Sequence, residues 1–135
     1  MNFRELDELI KFGETEFRRL RGIPPLPQAV VEKLCIELRL SPEEFCDTFS
    51  RRVAREYAVG NLPFEIADAA MNALEGYAQF VLDADLPPYS WEVYLAFDQG
   101  EFHHPEDQRS VDPEQKYTRP AILSILERQQ NRPIE

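Results

Sequence analysis

The chain has 135 residues, of which 43 % are hydrophobic and 30 % charged, and its formal net charge is −10. That length suits one domain with a real core, and the acidity speaks against a general nucleic-acid binder or a protein that docks on anionic membrane. No apolar run approaches the ~20 residues that span a bilayer, and the opening MNFRELDELIKF lacks the basic-then-apolar pattern of a signal peptide, so a cytoplasmic protein is expected.

In chain order, residues 2–21 read as one helix, because Phe3, Leu6, Leu9, Ile10, Phe17 and Leu20 recur at three- and four-residue spacing. Arg18, Arg19 and Arg21 suit its C-terminal end. Gly22 and PPLP stop it, and the proline run reads as a rigid corner rather than a polyproline ligand. A second helix is predicted over 28–39, with Val31, Leu34, Cys35 and Leu38 on one face. LSPEEF then carries a strong start signal: Ser41 as N-cap, Pro42 at the first helical position and Glu44 closing a capping box. The third helix runs to about Val59, and Phe45, Phe49, Val53 and Tyr57 form its apolar face. Cys35 and Cys46 match no zinc spacing and read as buried, inert thiols in a reducing compartment.

The fourth helix covers 64–82, with a seam of small residues that suits close helix packing. SWEVYLAFDQGEF could alternate as a strand, but Ser90 as a cap and the lack of a partner strand favour a helix. A polar loop is expected over 101–111. Asp112, Pro113 and Glu114 restart helix, Pro120 predicts a break or kink, Thr118 is a candidate cap for the final helix, and 129–135 should fray. The sum is an all-α, single-domain bundle of five to seven helices joined by short Pro- and Gly-containing loops.

The charge is unevenly distributed. Residues 56–108 contain no lysine or arginine and carry eleven carboxylates, so the whole negative excess lies there; they also hold nine of the fifteen aromatic residues. Acidic disordered tails are poor in aromatics, so this segment is both acidic and foldable. Its densest stretch, FDQGEFHHPEDQ at 97–108, brings four carboxylates next to His103 and His104. Their order fits neither an HExxH helix nor an EF-hand loop, and Pro105 restricts His104. No metal, cofactor or catalytic residue is therefore assigned, although a small metal-assisted enzyme using the 98–107 loop is the main alternative. A helix-turn-helix regulator over 30–55 is a further alternative. It is disfavoured because Glu43, Glu44 and Asp47 occupy the end that would face phosphates.

The favoured expectation is a non-enzymatic protein-binding module whose acidic, aromatic face covers a basic protein. Asp98, Glu101, Glu106 and Asp107 are the residues expected to steer the partner, and Trp91, Tyr94, Phe102 and His103 those expected to make contact. Size, acidity and compactness give this a resemblance in strategy to bacterial immunity proteins and DNA mimics, which would make the partner a toxin such as a nuclease.

Overall fold

The computed structural model describes residues 3–20 and 22–130, and among them it is all-helical, with no strand. The first predicted helix is divided at Lys11 into α1 (Arg4–Ile10) and α2 (Phe12–Leu20). The division changes which residues face inward: Leu6, Leu9 and Ile10 are buried, whereas Phe17 is half exposed. Residues 2 and 21 lie outside the described residues. The next helices are α3 (Gln28–Leu38), α4 (Pro42–Ala58) and α5 (Phe64–Tyr77), which runs on into a π-helical turn at Ala78–Leu82. They are followed by α6 (Pro88–Asp98), a second π-helical turn at Glu114–Thr118 and α7 (Arg119–Gln130).

The predicted start of α4 forms as expected. Ser41 Oγ accepts from the Glu44 N–H at 3.1 Å, and the Glu44 carboxylate accepts from the Ser41 N–H at 2.9 Å. Helix α4 then contributes Phe45, Phe49, Val53 and Tyr57 to the core. Phe45 meets Phe49 and Tyr77, and Tyr57 packs edge-on against Phe97 with ring centroids 5.0 Å apart. Burial at this density, ~25 cal/mol per Å² of apolar surface, is the main source of stability. Cys46 is buried and its thiol is pushed up to about 12 by that burial; Cys35 is partly buried and is also raised, chiefly by desolvation. Neither is a ready nucleophile.

Helix α5 lies between its neighbours on a surface of small side chains: Ala67, Ala69, Ala70 and Ala73 are all buried. Helix α2 crosses it at Gly13, where a Cβ would fall 2.5 Å from the Ala69 carbonyl oxygen. The proline corner docks on the same helix, with Leu26 buried and its N–H donating to the Ala73 carbonyl at 3.1 Å. At Gly76 an added Cβ would lie 3.2 Å from Pro25 Cα. The PPLP run is thus packed against α5.

Two local expectations are corrected, and a third is refined. SWEVYLAF is helical, as preferred, but Ser90 is not its cap. Pro87 precedes the helix and Pro88 opens it, while Ser90 is buried in the first turn and donates to Asp47 Oδ1 at 2.7 Å. Thr118 is not a cap either: it is buried and donates to the Ala96 carbonyl at 2.7 Å. Of the break or kink expected at Pro120, no break forms: the π-helical turn at Glu114–Thr118 leads directly into α7. A proline removes one backbone donor and crowds the carbonyl four residues back, and a widened turn accommodates both effects. The predicted frayed tail falls mostly on residues 131–135, which lie outside the described residues. Among the described residues, no helix is long and apolar enough to cross a membrane.

Gly13→Ala is expected to destabilise the fold by about 1–3 kcal/mol, because the added methyl meets backbone that cannot yield. The check is a urea titration, in which the midpoint should fall while the slope stays constant.

Candidate functional site

Helix α5 is enclosed on most sides, and its remaining strip carries Glu65, Asp68, Asn72 and Glu75, at spacings of three, four and three residues. These positions share one helical face. The C-terminal end of α6 lies against this strip and brings Tyr94 and Asp98; the turn after it brings Glu101. Asn72 holds the arrangement together, since its amide donates to the Asp68 carbonyl oxygen at 2.9 Å and to Glu101 Oε1 at 3.0 Å. The turn is placed by Gly100, which is buried so closely that a Cβ would sit 2.2 Å from Thr118 Oγ1 and 3.0 Å from the Phe64 ring.

The electrostatics of this cluster are unusual. Burial pushes the Asp68 carboxyl up to about 9, helped by its hydrogen bond to Glu101 and by the charges of Glu101, Asp98 and Glu65. Asp68 is therefore held protonated at neutral pH. Asp98 is raised as well, first by desolvation and then by Glu101. It also sits in the last turn of a helix with no basic residue there, where the macrodipole disfavours an anion. Tyr94 is raised by burial and by Asp98, Glu75, Glu101 and Asp68. Among the described residues no lysine or arginine lies within salt-bridge distance of Glu65, Asp68, Glu75, Asp98 or Glu101. Beside them Trp91 stacks on Tyr94, with centroids 5.3 Å apart and planes 20° apart, and remains 40 % exposed.

Of the eight residues expected to bind a partner, the fold gathers Trp91, Tyr94, Asp98 and Glu101 at this face. The other four lie on the following loop, and their roles differ. Asp107 does not present a free charge: its side chain is 6 % exposed, pairs with Lys116 and accepts from the Tyr117 hydroxyl. Glu106 stands 3.8 Å from His104 Nδ1. Phe102 stacks on His104, which stacks in turn on Tyr117, at centroid distances of 4.4 and 3.9 Å. Phe102 nevertheless stays 45 % exposed. His103 Nε2 bonds the Gln108 carbonyl at 2.9 Å, and His104 Nε2 bonds the Gln99 carbonyl at 2.8 Å. The two histidines are thus committed to different backbone carbonyls, and no group of three or more His, Cys, Asp or Glu among the described residues could hold a metal ion.

The eleven carboxylates of 56–108 therefore do not form one surface. Glu56 meets Arg52 at 3.1 Å, Glu92 meets Arg128, and Asp107 meets Lys116. Asp83 and Asp85 lie in the corner between the two helices, where Asp85 accepts from Gln79 at 3.3 Å. Among the described residues, Glu65, Asp68, Glu75, Asp98 and Glu101 remain together without a lysine or arginine partner. Glu65, Asp68, Asn72 and Glu75 were not singled out in the sequence, although their helical spacing, opposite the alanine seam, was a usable signal.

Over 30–55, α3 ends at Arg39 in the left-handed region (φ 57°), and α4 begins with exposed Glu43 and Glu44 beside the buried Phe45. An end of this kind repels phosphate. No family model, curated protein or solved structure matches the chain.

The raised carboxyls set the sign of the pH dependence. Between the ordinary carboxylate range and about 9, the folded chain holds a proton on Asp68 that the unfolded chain has lost. Stability should therefore be fullest at the acid end of that window and fall as pH rises through it. Asp68→Asn, which keeps a donor for Glu101 without a titrating proton, should flatten the decline and raise the melting temperature most at alkaline pH. Thermal unfolding of both proteins at several pH values between about 5.5 and about 9 checks this.

Proposed function

We propose that this chain is a non-enzymatic protein-binding module whose acidic, aromatic face docks on a basic protein. The observation that carries this reading is the row of five carboxyl groups, Glu65, Asp68, Glu75, Asp98 and Glu101, which meet no lysine or arginine among the described residues and of which Asp68 is held protonated, next to the half-exposed Trp91–Tyr94 stack. Like charges held together destabilise a compact chain. An arrangement that keeps them, while Lys116 and Arg128 pair with Asp107 and Glu92 instead, is accounted for by a cationic partner that relieves the repulsion on docking.

The physics divides the work. The exposed carboxylates steer a basic partner and speed its approach, with a strong dependence on salt. Trp91 and Tyr94 supply apolar area near the centre of the face, where anchors contribute most of the binding energy. Phe102, on the edge of the face, extends it. The finer reading is an immunity-type inhibitor acting in the cytoplasm, which covers the nucleic-acid site of a nuclease toxin by presenting carboxylates where phosphates would lie.

A fluorescently labelled nona-arginine peptide is a suitable probe, read by anisotropy. Binding should weaken steeply with added salt. Glu65→Lys combined with Glu75→Lys should cost about tenfold in affinity, close to 1.4 kcal/mol, while Asp83→Asn combined with Asp85→Asn should leave it nearly unchanged. Equal losses in the two double variants would mean that charge alone, without a defined face, governs binding. For the finer reading, the chain should inhibit a basic nuclease encoded beside it, and the Glu65/Glu75 reversal should abolish that inhibition.

A further inference from the structure

The outward arc of α6 does not end at the acidic row. At about 100° per residue, the order around the helix is Tyr94, Asp98, Trp91, Leu95, Gln99 and Glu92. The first three belong to the acidic aromatic face. The last three line a groove of about 430 Å³ between α6 and α7. The two helices run in opposite directions there, because Thr118 donates to the Ala96 carbonyl at 2.7 Å at one end and Arg128 pairs with Glu92 at the other. Ala96 and Ala121 leave the groove open, since neither side chain extends beyond a methyl group, and Leu95 and Ile125 supply its larger apolar walls. Leu95 stays 37 % exposed, beside Trp91 in the angular order. Tyr117, at the far end, is fixed by the His104 ring stacked on it at 3.9 Å and by its bond to Asp107, so that end is formed in advance.

The two edges of the groove differ in charge. Past Trp91, on the α5 side, lie Asp98, Glu101 and Glu75. On the α7 side the lining cation, Arg128, is already paired with Glu92, and Ser124 is uncharged. A segment seated here meets apolar walls beneath it, negative charge along one edge and a neutral edge opposite. An α-helix can present an apolar stripe and a basic flank side by side, whereas a strand sends successive side chains to opposite faces. Among the described residues there is also no sheet edge for a strand to join. The α6 wall from Glu92 to Gln99 matches about two helical turns.

We propose that the groove between α6 and α7 seats a basic amphipathic helix of the partner protein, with its apolar stripe against Leu95, Ala96, Ala121 and Ile125 and its basic flank over Asp98, Glu101 and Glu75. The sign of the partner's charge rests on the docking reading above; the seat and the helical form rest on the groove.

The test uses two leucine–lysine peptides of identical composition and about 14 residues, a length at which an isolated helix is marginal. One has leucine at three- and four-residue spacing; in the other, leucine and lysine alternate. The first should bind at least about tenfold more tightly, gain helicity on binding by difference circular dichroism, and shift the ¹⁵N-amide signals of 92–99 and 121–128. Leu95→Gln and Ala121→Gln should each weaken it about fivefold or more while leaving nona-arginine binding unchanged. Ile36→Gln, at an apolar residue 79 % exposed on α3, should affect neither peptide. Melting curves show that the variants fold, and the amide shifts of the unaltered protein serve as evidence that needs no variant. The proposal is overturned if the two peptides bind alike, if the shifts fall outside these segments, or if both groove variants hold the helical peptide as well as the original chain does. A dimer seen by sedimentation and lost in Leu95→Gln also overturns it, by giving the groove to a second copy. Nona-arginine binding that responds to the Glu65/Glu75 reversal, with no preference between the leucine–lysine peptides, keeps the docking reading and removes the helix seat. Helical-peptide binding in the groove that ignores the reversal supports the seat and overturns the docking reading.

Discussion

The close approach of α5 to its neighbours, made possible by side chains no larger than a methyl group, is the contact on which the rest of the structure depends. Ala69 meets Gly13 of α2, Ala73 accepts from Leu26 of the proline corner, and Gly76 lies under Pro25. A helix enclosed in this way has only a narrow strip left for polar groups. Glu65, Asp68, Asn72 and Glu75 occupy that strip, so the density of the carboxylate row follows from the packing behind it. Small residues exchange side-chain burial for backbone proximity, and any added methyl must displace main chain.

The second element is the end of α6. Its last turn points Asp98 toward the same strip, and Gly100 lets the following turn press against Phe64 and Thr118, which places Glu101 over Asp68. Three carboxyl groups then share a half-buried space with no cation among the described residues. Proteins resolve such a conflict by pairing the charges, moving them apart or retaining a proton. This fold uses pairing at Glu56, Glu92 and Asp107 and retains a proton at Asp68. The unpaired row and the adjoining aromatic stack are thus parts of one surface, built from two helices and a turn.

Local signals in the chain were legible where one stretch of sequence carries the whole cause. The capping box at Ser41–Glu44 needs only its own four residues, and the apolar face of α4 repeats with the helical period. The proline corner, the all-helical class and the helix over 88–98 belong to the same kind. Signals failed where a partner distant in sequence competes for the same group. Ser90 and Thr118 have the chemistry of caps, but Asp47 and the Ala96 carbonyl take their hydroxyls. Pro120 signals a break or kink, and a widened turn just before it takes up the irregularity without ending the helix.

The sequence by itself determined the fold class, the course of most helices and the confinement of the negative excess to 56–108, because periodicity, capping and composition act over a few residues at a time. Only the tertiary structure decided which of the eleven carboxylates stand together. Lys116 and Arg128 come from the far side of the acidic segment to neutralise Asp107 and Glu92, while Asp68 is brought against Asp98 and Glu101 across some thirty residues of chain. Coulombic interaction depends on distance in space, and that distance is set by how the helices pack.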